Sequence, residues 1–426
     1  MSLPSNPITI VIVGAGPAGM AAALSLHHQG IKDFVIVDSL LAGQNSSRAV
    51  VIQAATLEAL DTVGCMDKLL KIGDQNNHFG VRDESSYLFS ADFSLLAPYT
   101  KFPFGLVLPQ TSTEGAMLEA MKERGIHVLR PYKAVSLKPS AENEGVIDVE
   151  FESGEVVQAK YVIGADGAHS VVRNEAGISF TEPGNGQEPD LGNVSQLILG
   201  DVTFSSPPHF PDPKYPVFTS IANNNFLLIA PFPAALSHDP ERIEYRVAAG
   251  VPVEDGTAPH APSKEYIQSV LDRCAPSVLN LPRIENTYWT SRYRTRAAVA
   301  ERSFARLAGG GAVLLVGDAA HIHSPLGGQG MSLGIRDAIS LGAALPAVLA
   351  QDDGDRAAVD KLLTIWAGER HKRALGVVQI TKGALGMVIA PRTFMRRIGF
   401  ALLRFLGRFT LVQRMVAYRL SGLAEI

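Results

Sequence analysis

An aspartate followed by a proline, a glycine-rich turn and a helix-forming run is the stretch of this sequence with the clearest chemistry. Asp318 ends the apolar run "GAVLLVGD", and Pro325, Gly328 and Gly330 follow in "HSPLGGQG". A carboxylate at a strand end can accept hydrogen bonds from sugar or ribityl hydroxyls, and glycines let the backbone approach a flat ring. The N-terminus of a helix starting near Met331 stabilises negative charge, so the stretch would suit a reduced flavin.

A second glycine motif lies near the start of the chain. Gly14, Gly16 and Gly19 form GxGxxG in "GAGPAG", between the β-branched run "ITIVIV" and a helical segment. This arrangement places a pyrophosphate at a helix N-terminus. Asp38 closes the next strand, "FVIVD", where its carboxylate can accept ribose hydroxyls. The motif therefore predicts a dinucleotide, with FAD or NAD preferred to NADP at this site.

A third motif, "GADGAHS", puts Asp166 on an Asp-Gly turn after a strand, with Arg173 in the segment that follows. An ordinary turn explains this pattern as well as a ligand site does, because Asp-Gly is a common turn sequence. His321 and His323 have HxH spacing, but without an acidic or cysteine cluster beside them we expect no metal site.

Composition excludes several classes of protein. The 426 residues are 46% apolar and carry a formal charge of -4, so a large core is expected and a basic nucleic-acid-binding domain is not. Cys65 and Cys274 are too few for a disulfide scaffold. The sequence contains neither a signal-peptide pattern nor an apolar run long enough to span a membrane. We expect a cytoplasmic protein.

Three ordered motifs resemble those of the class A flavin-dependent monooxygenases, the family of para-hydroxybenzoate hydroxylase and phenol hydroxylase. They are "GAGPAG", "GADGAHSVVR" and "GDAAHIHSPLGGQG". Two shorter segments agree: "SSRAVVIQAATLEAL" is similar to the segment whose arginine lies near the flavin, here Arg48, and "LPQTSTEGAMLEAM" to the one whose glutamine contacts it, here Gln110. The phenol-hydroxylase-like members continue into a thioredoxin-like extension where this sequence stops, so we expect none here.

The resemblance implies both a mechanism and residue roles. NADPH or NADH would reduce FAD, oxygen would add at flavin C4a, and the hydroperoxide would hydroxylate or epoxidise an aromatic or polycyclic molecule, in secondary metabolism or aromatic catabolism. Asp318 would hold the ribityl chain, and Pro325 would lie beside the reacting edge of the ring. Backbone amides from Gly328 through Gly330 to Met331 would face its pyrimidine edge, and Asp166 would belong to a segment that binds FAD and NADPH.

One residue departs from the family pattern. Members carry asparagine where this chain has Ser332. Because serine is a good helix N-cap, we expect it to cap the helix that follows; the alternative is the loss of a flavin contact.

The distribution of helical and strand patterns along the chain predicts an α/β fold in which one domain is inserted into another. Residues 1–75, 108–177 and 291–355 would form a discontinuous Rossmann-like FAD-binding domain. Residues 76–107 and 178–290, where prolines and alternating runs replace helical patterns, would form an inserted mixed-β substrate domain. Residues 356–426 would be C-terminal helices, with seven arginines after Pro391 against Glu425 alone. A solvated helical face is the expected explanation, and contact with a membrane surface the alternative.

The sequence leaves the substrate, the oligomeric state and the choice of nicotinamide cofactor open. Candidates for an acid or base acting on the substrate are Tyr215, His209, His238 and Arg246, among which the sequence does not choose. A flavin halogenase is disfavoured because the WxWxIP motif is missing. A flavin reductase of isoprenoid chains and a non-catalytic prenyl-binding scaffold remain as alternatives.

Overall fold

The computed structural model describes residues 3–43, 48–84, 86–183, 195–222, 224–325, 328–351, 355–389 and 393–425. Pro391, after which the sequence is rich in arginine, lies outside these residues. The fold is a mixed α/β fold, and its elements follow in chain order.

The strands are β1 (Ile8–Val13), β2 (Phe34–Val37), β3 (Val51–Ile52), β4 (Asp74–Asn76), β5 (His78–Arg82), β6 (Tyr87–Asp92), β7 (Gly105–Val107), β8 (Val128–Leu129), β9 (Ala134–Pro139), β10 (Ile147–Phe151), β11 (Val156–Gly164), β12 (Phe180–Thr181), β13 (Gln196–Phe204), β14 (Phe218–Ser220), β15 (Leu227–Pro231), β16 (Glu244–Gly250), β17 (Ile284–Arg294), β18 (Ala298–Ala300), β19 (Phe304–Arg306), β20 (Ala312–Leu315) and β21 (His321–Ile322). The helices are α1 (Pro17–His28), α2 (Ala54–Thr62), α3 (Met66–Ile72), α4 (Gln110–Glu123), α5 (Val171–Glu175), α6 (Lys264–Cys274), α7 (Gly330–Leu349), α8 (Arg356–Ile389), α9 (Phe394–Leu406) and α10 (Thr410–Leu420).

A largely parallel sheet unites distant parts of the chain. Its order is β19-β20-β11-β1-β2-β8, with the neighbours from β20 to β8 parallel, β19 antiparallel, and β10 and β9 extending from β11. Both faces are covered, which is why β1 reads as an uninterrupted β-branched run. Ile10, Val11 and Ile12 are fully buried. The strand-helix-strand start predicted from the sequence is confirmed in β1, α1 and β2.

A second sheet of seven strands has the order β17-β13-β16-β15-β14-β5-β6. Its strands pair antiparallel except for β14 with β5, so residues 78–92 join a sheet built mainly from residues 196–294. One face packs on α6, and the other carries Leu197, Leu199 and Ala248 in a separate apolar cluster. Two small sheets, β3-β7-β4 and β12-β18-β21, complete the strands.

Helix α6 was not predicted within the proline-rich, mostly β segment. The Ser263 hydroxyl caps it by accepting from the Tyr266 amide, and Ile267, Val270 and Leu271 pack into the core of the seven-stranded sheet. Its apolar residues lie three and four apart, which is a helical signal. The surrounding prolines obscured it.

Helices α1 and α7 pack closely against each other beneath the parallel sheet. A Cβ added at Gly334 of α7 would lie 2.9 Å from the Cα of Gly317, and one added at Gly317 would lie 2.8 Å from the Ala18 Cβ. Three small residues therefore let α1, α7 and the turn after β20 meet. By length and composition α7 could cross a membrane, but 67% of its most apolar 18-residue window is buried inside the protein.

The C-terminal helices expose apolar side chains in addition to the solvated arginines expected from the sequence. Helix α9 has no buried residue, and its exposed side chains include Phe394 and Leu402 as well as arginines. The composition was read correctly as helical and basic. Which side of the helix faces outward follows from tertiary contacts that the tail alone does not reveal.

Candidate functional site

One cavity of about 440 Å³ lies where the carboxyl ends of the parallel strands meet the N-termini of α1 and α7. Among the described residues, it is lined by eleven of the residues singled out from the sequence: Gly14, Gly16, Asp38, Arg48, Gln110, Asp166, Asp318, Pro325, Gly328, Gly330 and Met331. Gly19 is the one predicted cofactor-site residue that does not line it. Motifs more than 300 residues apart in sequence therefore line the same cavity.

The three glycines of "GAGPAG" act in two different ways. Gly14 has φ +101°, and a Cβ there would lie 2.4 Å from the Ala165 carbonyl oxygen; a Cβ on Gly19 would lie 1.9 Å from that of Gly14. Both glycines are therefore needed for strand, turn and helix to pack. A Cβ on Gly16 would meet no atom within 4 Å, so this glycine leaves open space at the helix end.

Asp38 lies at the end of β2 beside this turn. Its Oδ2 accepts from the Ala15 amide at 2.7 Å, and its Oδ1 accepts from the Leu40 amide at 2.9 Å. Arg130 also donates to Oδ1, at 3.0 Å, and lines the cavity. Arg130 had no sequence signal, because it follows a two-residue strand that no motif marks.

The "GADGAHS" turn is both a turn and part of the cavity wall. Gly167 has φ +82°, and Asp166 Oδ2 accepts from the amides of Val171 at 2.7 Å and Val172 at 3.1 Å at the start of α5. Asp166 Oδ1 is buried without a hydrogen-bond partner. Burial raises the pKa of Asp166, while the Ser170 hydroxyl and nearby amides lower it.

Arg173 ties this turn to the loop after β20. Its guanidinium donates to the carbonyl of Ala319 at 3.0 Å and to that of Ala168 at 2.9 Å, and lies 3.9 Å from the centre of the Phe180 ring. A single buried side chain thus fixes the second motif against the third.

Asp318 lines the cavity, and its side chain is exposed there although its neighbours Gly317 and Ala319 are buried. Burial raises the pKa of Asp318, and the charges of His321 and Arg48 act in the opposite direction. An exposed carboxylate in the cavity wall is available to a hydroxyl-bearing ligand.

Helix α7 begins at Gly330 with Gln329 as its N-cap residue, and no side chain caps it. The expectation that Ser332 caps this helix is wrong. Ser332 is the third residue of the helix and fully buried; its hydroxyl is 3.5 Å from the Gln53 amide, and its carbonyl accepts from the Thr56 hydroxyl at 3.2 Å. Ser332 therefore links α7 to the start of α2 and does not cap the N-terminus of α7.

The two histidines of the third motif have separate partners. His321 Nε2 lies 2.5 Å from Asp337 Oδ2, and both residues are buried. Burial lowers the pKa of His321, but the charge and hydrogen bond of Asp337, with Asp318, outweigh it and raise the pKa. Among the described residues, no group of three or more histidine, cysteine, aspartate or glutamate side chains is arranged to hold a metal ion.

His323 lines the cavity as a neutral side chain. Its Nδ1 lies 2.9 Å from the Ser324 carbonyl, which can only accept, so Nδ1 carries the proton and the partnerless Nε2 is an acceptor. Burial lowers the pKa of His323 to about 4, against the Ser324 hydrogen bond. The side chain therefore stays uncharged at neutral pH.

Replacing His323 by glutamine should make the fold less sensitive to acid. Because the folded state resists protonation, the unfolded chain binds the proton first, and stability falls as the pH drops from the ordinary pKa of 6.5 toward about 4. The loss amounts to about 2 kcal/mol near pH 4.5. Thermal unfolding near pH 7.5 and near pH 4.5 measures it, with His28→Gln on the surface as the control. Equal losses in wild type and His323→Gln would contradict the assignment.

Arg48, Gln110 and Tyr293 form the side of the cavity nearest the seven-stranded sheet. Gln110 Oε1 accepts from the amides of Arg48 and Ala49, each at 3.3 Å. The Arg48 guanidinium is exposed and lies 5.7 Å from the centre of the Tyr293 ring. Sequence reasoning missed Tyr293; its only signal was the alternating run "NTYWTSRYR" of β17.

The Tyr293 hydroxyl is held in its protonated form. It donates to the His323 carbonyl at 3.2 Å. Burial, with a smaller contribution from the Asp318 charge, raises the pKa of Tyr293 to about 12, while the Arg48 charge acts in the opposite direction. Tyr293 therefore serves the cavity as an apolar ring and a hydrogen-bond donor.

Behind Arg48 lies a buried ion pair. Arg246 donates from Nε to Asp201 Oδ1 at 2.5 Å and from Nη2 to Oδ2 at 3.0 Å, and from Nη1 to the Arg48 carbonyl at 3.2 Å. The rings of Trp289 and Phe232 lie 5.1 and 5.5 Å from its guanidinium carbon. Arg246 thus connects the seven-stranded sheet to the segment that carries Arg48.

The other three substrate-side candidates lie away from this point. Tyr215 packs on Tyr87 with ring centres 4.4 Å apart. His238 Nδ1 lies 2.7 Å from Glu244 Oε2, and His209 is exposed. In the described part of the chain, none of the four candidates lines the cavity.

The cavity fits a cofactor with an anionic pyrophosphate and a hydroxyl-bearing chain. Neither α1 nor α7 has a side-chain cap or an acidic residue in its first turn. Two uncapped helix N-termini therefore meet one cavity that also holds the open space at Gly16 and the Asp318 carboxylate.

A family model described as an FAD binding domain matches residues 7–381. The chain belongs to this FAD binding domain family. An uncharacterised aromatic compound monooxygenase of Bacillus subtilis (strain 168) is 30% identical over 382 residues, 89% of this chain and 68% of that protein. A 12-dehydrotetracycline 5-monooxygenase/anhydrotetracycline 6-monooxygenase of Streptomyces rimosus is 30% identical over 395 residues, 90% of this chain and 70% of that protein.

Solved structures agree with this membership of the FAD binding domain family. Anhydrotetracycline hydroxylase from Streptomyces rimosus is 26% identical, with a TM-score of 0.72 over 98% of this chain and 76% of that one. The p-nitrophenol 4-monooxygenase from Pseudomonas putida DLL-E4 shares the fold, with 22% identity and a TM-score of 0.78 over 98% of each chain. The resemblance to flavin-dependent aromatic monooxygenases is confirmed, and the protein is an FAD-dependent oxidoreductase.

Proposed function

We propose that the protein uses NADPH or NADH and O2 to hydroxylate or epoxidise an aromatic or polycyclic small molecule. The observation that carries the proposal is the wall formed by Arg48 and Tyr293, where the cofactor cavity meets strand β17 of the seven-stranded sheet. The aromatic and tetracycline compounds named for the relatives set the substrate class. The cytoplasmic location expected from the sequence remains a prediction.

In this proposal, one part of the chain binds FAD and another binds the substrate. Residues 1–75, 108–177 and 291–355 hold FAD, residues 76–107 and 178–290 hold the substrate, and residues 356–426 form the C-terminal helices. The parallel sheet gathers strands from all three segments of the first part, and β5 and β6 join β13–β17 in the second. Strand β17 crosses the proposed boundary, so the two parts share a continuous element.

The nucleotide end of FAD is assigned to the N-terminus of α1. Its uncapped amides and the open space at Gly16 suit the pyrophosphate, while Gly14 and Gly19 shape the turn. Asp38 accepts from ribose hydroxyls, and Arg130 holds the Asp38 carboxylate in place.

The ring end of FAD is assigned to the loop after β20 and the start of α7. Asp318 accepts from the ribityl chain, and Asp166 lines the same cavity. The amides from Gly328 through Gly330 to Met331 stabilise negative charge on the pyrimidine edge. Pro325 lies beside the reacting edge.

When bound, FAD supplies hydride acceptance from NAD(P)H and activation of O2. The chain supplies orientation and the exclusion of water. Arg48, with its backbone fixed by Gln110 and Arg246, presents a cation at the boundary between cofactor and substrate. Tyr293 covers the same boundary with an apolar ring, and His323 offers a neutral acceptor at Nε2.

The test begins with the absorbance of the purified protein and its NADPH consumption with phenols, indoles and terpenoid phenols. We expect yellow protein, NADPH oxidation that rises with one class of aromatic substrate, and a product containing one oxygen atom from O2. A colourless protein would indicate a scaffold instead. Flavoprotein that reduces an isoprenoid double bond without consuming O2 would indicate a reductase.

Arg48→Ala tests the boundary residue. Removing its cation should lower the rate of flavin reduction by NADPH, or the product formed per NADPH, by about ten-fold, with FAD still bound. Arg302→Ala, which removes an exposed arginine outside the cavity, is the matched control. Unchanged reduction together with unchanged peroxide release would refute the role.

A further inference from the structure

Helix α9 presents its apolar side to solvent and its polar side to the protein. Phe394, Ile398, Leu402 and Phe405 lie four, four and three residues apart, which places them on one face. Phe394 is 75% exposed and Leu402 54% exposed. Met395, at 70% exposure, borders the same face.

Arginines on the opposite side attach α9 to the protein. Arg396 donates to Asn224 Oδ1 at 2.6 Å, and its guanidinium lies 4.8 Å from the centre of the Phe400 ring. Arg404 pairs with Asp83. Because these contacts fix the rotation of the helix, the apolar face cannot turn inward without breaking them.

The exposed apolar face continues into the next helix. Phe405 and Phe409 make an edge-to-face contact at 5.3 Å, and Leu411 and Met415 of α10 are 68% and 51% exposed. We call the surface made by these side chains the α9–α10 face; its members are Phe394, Met395, Ile398, Leu402, Phe405, Leu406, Phe409, Leu411 and Met415. An apolar surface of this kind on a folded protein marks an interaction site.

Exposed arginines accompany the α9–α10 face. Arg397, Arg408, Arg414 and Arg419 are exposed, and no ion pair holds their side chains within the part of the chain that the structure describes. Residues 393–425 contain six arginines and one acidic residue, Glu425, although the chain as a whole carries a charge of -4. The positive charge is therefore concentrated at this face.

We propose that the α9–α10 face docks on an anionic lipid membrane surface. Phenylalanine and leucine side chains on one face with arginines beside them are the pattern of helices that lie in the membrane interface. Anionic headgroups complement the arginines. A second copy of this chain fits less well, because a two-fold interface would bring two equal sets of arginines together.

The position of the face connects it with the rest of the molecule. Helices α9 and α10 both pack on β6, at the edge of the seven-stranded sheet. The carbonyl of Leu420, at the end of α10, accepts from Gln329 Nε2 at 2.7 Å, next to the first turn of α7. Docking would thus bring the proposed substrate sheet close to the lipid, although the proposal stands without the proposed function.

Co-sedimentation of the flavin-loaded full chain with vesicles tests the proposal. Vesicles of about 30% phosphatidylserine in phosphatidylcholine should pellet most of the protein, and phosphatidylcholine alone little. Binding should weaken in high salt, because the lipid-arginine attraction is screened. Equal binding to both vesicle types, or none to either, would overturn it.

Matched variants distinguish binding through the α9–α10 face from non-specific adsorption to the vesicles. Phe394→Ser with Met395→Ser should abolish pelleting, and Arg397→Glu should lower the partition coefficient at least about five-fold. Val278→Ser and Arg302→Glu, at exposed positions elsewhere, should not change it. Flavin content should be the same in all. If light scattering instead shows a dimer that the Phe394 and Met395 changes dissociate, the face belongs to a second copy and the lipid proposal fails.

Discussion

Asp318→Ala protein should fold normally and bind FAD about 10- to 100-fold more weakly than the wild type. The estimate follows from the loss of a hydrogen bond to a charged acceptor, worth about 1.5–3 kcal/mol. The apoprotein should melt at the same temperature or slightly higher, because burial raises the pKa of Asp318 and so disfavours its charged form in the folded chain. Fluorescence titration with FAD and melting curves with and without FAD measure the two effects.

Two further variants serve as comparisons for Asp318→Ala. Asp318→Asn keeps an accepting oxygen without the charge and should lie between wild type and alanine. Asp74→Ala removes an exposed carboxylate outside the cavity and should leave FAD affinity unchanged. Full flavin occupancy in Asp318→Ala at low FAD concentration would exclude a role in holding the ribityl chain.

Arg246→Met should destabilise the protein by about 3–5 kcal/mol, since it leaves the buried Asp201 carboxylate without its partner. Burial already raises the pKa of Asp201, and Arg246 opposes that effect through its charge and hydrogen bonds. The variant also loses the hydrogen bond to the Arg48 carbonyl, so flavin reduction should slow as well. Urea unfolding followed by circular dichroism gives the free energy of unfolding.

The double variant Arg246→Met with Asp201→Leu should recover most of that stability, because it removes both charges from the apolar surroundings of Trp289 and Phe232. Reduction kinetics should stay slow in the double variant, because the contact with Arg48 is still missing. Wild-type reduction kinetics in the single or the double variant would show that Arg246 does not position Arg48.

Much of the cofactor site was predictable from the sequence because its residues sit in short motifs whose local geometry is fixed by glycine. Gly14 at positive φ and Gly167 in its Asp-Gly turn allow only a few backbone paths. Asp38, Asp166 and Asp318 each follow a buried strand, and the carboxyl ends of parallel strands meet at one edge. The sheet order β20-β11-β1-β2 then brings them together.

The substrate side was not predictable in the same way. Arg246 and Asp201 are ordinary strand residues until β16 pairs with β13 in the register that sets them opposite each other. Tyr293 reaches the cavity because β17, still paired there with Leu197 of β13, continues four residues past Trp289 toward the cofactor side. Antiparallel registers between segments 45 residues or more apart leave no mark on either segment alone.

Ser332 and α9 illustrate the opposite error, in which a local rule suggests too much. Serine is a good N-cap, but α7 starts two residues earlier, at Gly330, so Ser332 falls inside the helix and binds α2. Arginine usually marks a solvent-facing side, yet Arg396 and Arg404 turn toward Asn224 and Asp83. In both cases a tertiary contact outweighs the local preference.

The two uncapped helix ends link the amount of this enzyme to the supply of its cofactor. Without FAD, α1 and α7 direct two partial positive charges into one cavity with no side-chain cap to satisfy either. A ligand that binds only the folded chain stabilises it in proportion to the logarithm of its free concentration. In a cell short of flavin, the same gene product would unfold more often and be degraded faster, so vitamin status would set enzyme abundance as well as activity.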